Sequence, residues 1–492
     1  MEACMWKTDD GRSFELYEAS RHDDLFMVAA LDCDYLVAKP ELGFDGEIVF
    51  SNDEKWILAP LSHANADRLR SLYPFTAPSR VLERDKTMGV GDRLGIATDG
   101  HLMVFRDYPQ VTPILAQQSI RELNLTNRTF HDVIDCATFG VFRNNYTTGW
   151  GADGDHVKTA DEVEYALSSG CTMITLDCSE QIDNTIDGLS SAQVSEGYEA
   201  FKAQNKDYAA VLEGIYLGKT FDVGEGHCIH FDEDMFKRCT LIYCKAIAHA
   251  IGIYENHIVS GGQSKGQRAD FEISIDETMT PTHPAQHFFV ANELSRAKVH
   301  IATVAPRFCG EFQKGIDYIG DLGQFEQEMK VHAAIARHFG YKLSIHSGSD
   351  KFSIFPYAGR ETKGRFHLKT AGTNWLEAMK LVAMKDPSLY REVHRFALGA
   401  FSEATKYYHV TTDLSKIPDI DTLDDAQLVS LFSMNDARQL IHITYGLILN
   451  AKDNSGASLF RDRLYRLWRT YREDYARLLH EHIGNHLKAI LV

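Results

Sequence analysis

The run "LSIHSGSDKFSIF", residues 343–355, begins as a buried strand, reaches His346, and then breaks into Ser-Gly-Ser-Asp-Lys. Other short apolar runs end in the same way. Asp177 closes "TMITLD", Asp276 and Glu277 close "FEISIDE", Arg307 follows "HIATVAP", and His367 and Lys369 stand inside "FHLKT". Imidazoles and carboxylates at successive strand ends are groups that a hydrophobic core does not select. Together they suit a divalent transition metal (Zn, Mn, Co, Ni or Fe) better than Ca or Mg. The ligand set read from these positions is Asp177, His346 and His367. Asp276 and Glu277 fit equally well as a helix N-cap and its first turn. Arg307, Lys314, Lys351 and Lys369 gather on the same side of these strands as a local positive spot, where Arg307 can clamp a carboxylate bidentately and Lys351 can add a point charge.

Period-two geometry puts these groups on common faces. His367 and Lys369 share one, Ser344 and His346 another, and Glu272, Ser274 and Asp276 a third, opposite Phe271, Ile273 and Ile275. Such polar faces converge if the strands close into a barrel with helices outside. In that fold functional groups collect at the carboxyl ends of the strands.

The elements that would position them alternate. "TADEVEYALSSG" carries a capping box, Thr159 with Glu162, and a stop glycine, Gly170, before "CTMITLD". "LGQFEQEMKVHAAIARHFG" is an amphipathic helix that ends at Gly340 before "YKLSIHSGS". Eight strands are expected: 92–98, 132–138, 172–177, 256–261, 271–276, 300–306, 342–347 and 366–370. The fold class is therefore α/β, a (β/α)8 TIM-like barrel over residues 81–375. A small N-terminal α/β extension (1–80) ends near "SLYPFTAPS", and a helical region follows (376–492). Two spacings strain the count: 256–261 and 271–276 are too close for a crossover helix, and an insertion must follow residue 177. "LFRDRLYRLWRTYREDYARLLHEHIGNHLKAIL" reads as one long amphipathic helix packed on the body.

Composition excludes several classes. With 492 residues and 44% hydrophobic content the chain can build a large core. A net charge of −18 argues against nucleic acid or an anionic membrane as partner. Nine cysteines without a CxxC pair read as reduced thiols. There is no signal-peptide pattern and no apolar run long enough to span a bilayer, so a soluble, cytoplasmic protein is expected. "GVGDRLGIATDG" (89–100) fails as a dinucleotide fingerprint on spacing and position, "VSGGQSKGQ" (259–267) reads as a flexible loop, and no P-loop, GxSxG or HExxH is present. Oligomeric state is not readable from the chain.

Longer motifs narrow the reading. "HSGSDKFSIFP" (346–356), "ISIDETMTPTHPAQHFF" (273–289), "APRFCGEFQKGIDYIGDL" (305–322) and "FHLKTAGTNW" (366–375) resemble the tagaturonate epimerase family. "GDRLGIATDGH" (91–101) is similar to the family's N-terminal barrel motif and, less closely, to a segment of tagatose-bisphosphate aldolase relatives. The likeness covers roughly residues 80–450. It implies a metal-dependent cytosolic enzyme of hexuronate breakdown that interconverts D-fructuronate and D-tagaturonate, with a small anionic sugar acid as substrate. On that resemblance Asp177 and Glu277 are the candidates for proton transfer. Lys369 is placed to hydrogen-bond an enediolate or, less readily, to form a Schiff base. Arg307, Lys314 and Lys351 hold the carboxylate, and Ser347, Ser349 and Asp350 bind hydroxyls. The competing readings are another metal-dependent sugar-acid isomerase, a class II-type aldolase, and a non-catalytic sugar-acid binding protein.

Overall fold

Two sheets built on opposite rules organise the chain. The computed structural model describes residues 4–259 and 266–491. The first sheet is antiparallel: β1 (Met5–Lys7), β2 (Ser13–Leu16), β3 (Leu25–Ala29), β4 (Asp34–Ala38), β5 (Glu47–Ser51) and β6 (Glu54–Pro60), in the order β1-β2-β3-β4-β6-β5. Both its faces are apolar. Phe26 and Val28 point into a cluster with Phe14, Val37, Val49 and Trp56. Leu25 and Met27, one residue out of phase, meet Ala66 and Leu69 of the helix His63–Leu72 and Phe139 and Phe142 of a barrel helix. This alternation fixes the extension against the barrel.

The second sheet is a closed parallel barrel. Its strands are β7 (Lys86–Val90), β8 (Thr112–Ser119), β9 (Gly151–Val157) and β10 (Met173–Asp177), then β13 (Asp270–Ile275), β14 (Thr303–Pro306), β15 (Lys342–Ile345) and β16 (Phe366–Thr370). Between β10 and β13 the chain inserts helices Ser191–Gln204, Lys206–Tyr216 and Glu233–Ile253 and a hairpin, β11 (Lys219–Gly224) with β12 (His227–Phe231). Outward residues Phe271, Ile273, Ile275, Leu343, Ile345, Phe366 and Leu368 are buried in the helical layer. The helix Leu322–Phe339 shows the local logic. Asp321 caps it by accepting from Gln324 N at 2.8 Å, Phe325 and Met329 bury one stripe, and Gly340 ends it at φ 85°.

The number of strands is as expected, but three of the expected segments are not strands. Residues 132–138 lie inside the helix Phe130–Arg143, whose Thr129–Asp132 capping box starts it and whose Val133, Ile134 and Ala137 follow helical spacing. Residues 92–98 form a turn in which the Asp92 carboxylate accepts from the backbone N–H of Leu94, Gly95 and Ala97. Residues 256–258 belong to a π-helical turn at the end of a long helix and Val259 makes an isolated bridge with Gln267; residues 260–261 of that expected strand, and most of the 259–267 loop, lie outside the described residues. The strands in their place, "KTMGV", "TPILAQQS" and "GADGDHV", carry Gly, Pro, Asp and Gln, residues of weak strand propensity, and are held by neighbours on both sides.

The C-terminal run is two helices, Arg461–Thr470 and Arg472–Ile490, broken at Tyr471. The break lets Leu464 and Trp468 join the core of the C-terminal helices, while Ile483, Leu487 and Ile490 reach the barrel core. No helix among the described residues is long and apolar enough to cross a membrane.

Candidate metal centre and its cleft

The barrel axis is polar from end to end. Deepest lie Lys342, Thr87 and His367: Lys342 Nζ donates to Thr87 Oγ1 at 3.0 Å, and His367 Nδ1 lies 2.9 Å from the same oxygen. Above them Lys369 Nζ meets Asp153 at 2.9 Å, Asp155 at 2.8 Å and Glu272 at 2.8 Å. Buried charges persist only when paired and hydrogen-bonded. Burial works against the Lys369 charge, but the three carboxylates hold it protonated, well above the ordinary lysine range. Burial, helped by the neighbouring Asp155 and Glu272 carboxylates, carries Asp153 up to about 6 against the pull of Lys369.

At the carboxyl end this column opens on His156, Asp276 and His346, each offering a ligand atom within 4.8 Å of the others. The outer nitrogen of each ring is placed by the inner one. His346 Nε2 donates to Glu272 Oε1 at 2.7 Å, and His156 Nδ1 donates to Asp155 Oδ1 at 2.7 Å. Carboxylates behind imidazoles fix tautomer and orientation in metal sites. His346 Nδ1 has no hydrogen-bond partner among the described residues, yet lies 3.2 Å from Asp276 Oδ2. His156 Nε2 is 4.0 Å from Glu277 Oε1. With the ring neutral, Nδ1 and Oδ2 can both donate an electron pair to a cation held between them. Burial disfavours charge on His156, but the Asp155 carboxylate outweighs it and pushes the ring up to about 10. Burial likewise opposes charge on His346, and Asp276 and Glu272 raise it.

Two backbone features aim these residues. β9 bulges against β10: Ile174 pairs with Gly154 and Leu176 with Val157, so Asp155 and His156 together face Thr175. His156 sits at φ 53° and Ser347 at φ 50°, both in the left-handed region that non-glycine residues seldom occupy. The bulge lets two consecutive residues serve the site, Asp155 below and His156 above. Gly89 is required for a different reason: a Cβ there would lie 1.7 Å from Gln117 Oε1, which enters the cavity beside it.

A second cluster has similar composition and a different character. Asp350 meets His482 Nε2 at 2.5 Å and Arg438 at 2.6 Å, and its N–H donates to His486 Nε2 at 3.0 Å. His482 Nδ1 lies 3.2 Å from Glu377, and His486 Nδ1 donates to the His482 carbonyl. Every nitrogen is engaged and an arginine already neutralises the carboxylate. This cluster is a clamp between the C-terminal helix and the 346–351 loop rather than a metal centre.

Asp276 and His346 line a cleft of about 430 Å³, and all three residues of the triad line the smaller inner cavity into which it continues. Arg121, Asp276, Glu277, Lys314, His346 and Ser347 line both.

The residues singled out from sequence fall into two groups. His346, Glu277, Lys314, Ser347, Ser349, Arg307 and Lys369 line the cleft or its inner cavity. Asp177, His367, Asp350 and Lys351 do not. Asp177 accepts from Ser179 N at 2.8 Å and lies 3.5 Å from Lys158 Nζ. His367 is buried a layer below, and burial pushes it down to about 3. The expected ligand set of Asp177, His346 and His367 is therefore not brought together. Lys351 is buried and donates to the carbonyls of Gln313, Ile316 and Ser349, and burial pushes it down to about 7. Nor does Asp276 cap a helix, since the next one starts at Pro284 with His283 as its cap. Ser347 and Asp350 have the positive φ, and Gly348 is needed because a Cβ would lie 2.4 Å from Leu368 Cδ1. Lys369 is buried among carboxylates as a cation, which removes the free amine that a Schiff base needs. His156 and Arg121 escaped notice because β8 and β9 did; "GDH" at the end of an alternating Asp153–Asp155 run was the available signal.

The model of the tagaturonate epimerase family matches residues 15–490. A curated relative, the tagaturonate/fructuronate epimerase of Thermotoga maritima, is 40% identical over 98% of both chains. Crystal structures of fructuronate-tagaturonate epimerase UxaE from Cohnella laeviribosi, native and with one glycerol, are 50% identical. They cover 97% of this chain and 96% of their own, with a TM-score of 0.92.

Proposed function

This chain belongs to the tagaturonate epimerase family, and from that premise we propose that it interconverts D-fructuronate and D-tagaturonate by opening and re-forming one carbon–carbon bond. The two sugars differ at the hydroxyl carbon C3, counted from the carboxylate, while the ketone is C5. The C3 proton is beta to the carbonyl and is not acidic, so enolisation cannot invert this centre. Cleavage of C3–C4 can, because the electron pair of that bond has the C5 ketone to flow into.

The observation that carries the reading is the facing pair of His346 Nδ1 and Asp276 Oδ2, with His156 beside them, on the floor of the cleft. The residues fit a divalent transition metal: two imidazoles oriented by carboxylates and one carboxylate ligand. A cation held there supplies Lewis-acid stabilisation of the negative charge that develops next to the ketone. His156, Asp276 and His346 would hold it, and Asp155 and Glu272 keep the two rings aimed. Glu277 lines the cleft and is half exposed, free to take the C3 hydroxyl proton and to return it when the bond re-forms. Lys369 holds Asp155 and Glu272 in place from below as a positioning residue. Ser347 and Ser349 line the inner cavity within reach of substrate hydroxyls.

The test is product analysis by NMR after incubation with D-fructuronate, using chelator-stripped protein with and without added divalent ions. The reading expects D-tagaturonate as the only product and only with the ion. Accumulating three-carbon products would make the protein an aldolase, and ligand binding without turnover would make it a binding protein.

A further inference from the structure

We propose that Arg121 and Lys314 are the receptor for the substrate carboxylate, and that they retain the aldehyde half of the sugar while its carbon–carbon bond is open. The proposal rests on the epimerase reading above. Arg121 lies in the short helix Ile120–Thr126 that follows β8, and Lys314 in the loop that follows β14. Both line the cleft with Asp276 and His346, and the inner cavity with all three residues of the triad. Neither makes a salt bridge among the described residues. The contrast with Arg93 nearby is direct: Arg93 takes Glu122 at 2.6 Å and stacks on Tyr445, so the acid next to Arg121 in sequence is already engaged. Lys314 Nζ donates only to a neutral group, Ser347 Oγ, at 3.0 Å. Burial pushes its pKa down, and the charge of Arg121 adds to that. Two neighbouring basic side chains with no ion pair among the described residues, in a chain of net charge −18, form a place that an external anion completes.

Arg121 is also held in a useful pose. Its guanidinium lies over the ring of Tyr408, 5.0 Å from the centroid, and Tyr408 is buried and bonded to Tyr445 through their hydroxyls. Stacking covers one face of the guanidinium and leaves its N–H fork free for a carboxylate. Through Tyr408 the C-terminal region becomes a wall of the site.

The chemistry explains why such an anchor is needed. When Glu277 takes the C3 hydroxyl proton, C3–O becomes a carbonyl, and the C3–C4 pair moves into C4–C5, leaving the charge on O5. The sugar is then an enediolate of C4–C6 and an aldehyde of C1–C3 that carries the carboxylate. Inversion requires the aldehyde to present its other face by turning about C2–C3 without leaving. A carboxylate gripped at C1 is the fixed end of that rotation. Re-forming C3–C4 returns the pair and the proton, and nothing is oxidised or reduced.

The experiment compares full-length, ion-loaded wild type with Arg121→Gln, Arg121→Lys and Lys314→Gln. Three quantities are read: KM and kcat on D-fructuronate, free dihydroxyacetone released per turnover (trapped by enzymatic reduction), and calorimetric binding of glycerate, which has the same three carbons and carboxylate. Losing one charge-assisted contact should raise KM about 10- to 100-fold. It should also release fragments that wild type retains and weaken glycerate binding, with Arg121→Lys recovering part of each. Unchanged metal content and circular dichroism guard against misfolding. Glycerate binding indifferent to Arg121→Gln and Lys314→Gln overturns the receptor, whatever the turnover. Glycerate binding that depends on them in a wild type inactive on uronates with every divalent ion supports the receptor and sinks the epimerase reading instead. Raised KM with no fragment release overturns the retention role.

Discussion

Lys369 Nζ lies 2.8 Å from Glu272 Oε1, the same oxygen that accepts from His346 Nε2 at 2.7 Å. A second contact from the same ammonium reaches Asp155 Oδ1, which holds His156. One buried cation thus orients both imidazoles of the candidate metal centre. Lys369→Met should leave three buried carboxylates facing one another and destabilise the fold by ~3–5 kcal/mol. Denaturant unfolding measures the loss. An unchanged midpoint with full metal content would show that the rings do not depend on it.

The ligand set is separable by substitution. His156→Ala, Asp276→Ala and His346→Ala should each lose bound metal, by roughly tenfold in affinity or more, together with turnover. Asp177→Asn and His367→Gln should keep metal, because neither reaches the centre. Elemental analysis of the purified variants decides between the two sets.

The metal-free protein should lose stability as pH rises. His156 stays charged up to about 10 in the folded chain, against an ordinary value of 6.5. Its pairing with Asp155 therefore contributes fully below pH 6.5, and the contribution is lost as pH climbs through about 10. A cation must displace that proton, so metal affinity should rise over the same interval. Unfolding and metal-competition titrations across this range check both. His156→Gln should flatten the stability slope, and a slope that persists in that variant would assign it elsewhere.

The Asp350–His482–Glu377 clamp makes a different prediction. His482→Leu removes the ring that joins Asp350 to Glu377, leaving Asp350 paired with Arg438, and should lower the unfolding midpoint while leaving metal content intact. Stoichiometry should be one ion per chain. Two ions per wild-type chain, with one lost in this variant, would make the second cluster a metal site.

What the sequence conveyed followed from alternation. "FEISID", "KLSIH" and "FHLKT" have clean period-two patterns, and their polar faces do line the barrel axis. "GADGDHV" has no apolar face to detect, and its bulge sends two neighbouring residues to the same site, so His156 was invisible to a period-two reading. "DVIDCAT" is apolar and short, a pattern that strand and helix share until its capping box is weighed. Asp350 and Lys351 stand beside site residues in sequence, but Asp350 is claimed by partners at Arg438 and His482, distances along the chain that no local pattern reveals.

The most direct test of bond cleavage at this centre is the reaction run in D2O with ion-loaded protein and D-fructuronate, followed by NMR at the inverted carbon. Cleavage and re-formation of C3–C4 carry the original hydrogen along as the aldehyde hydrogen. The account therefore predicts D-tagaturonate that retains protium at C3, formed only when the divalent ion is present. Deuterium at C3, or equal conversion by the chelator-stripped protein, would contradict it.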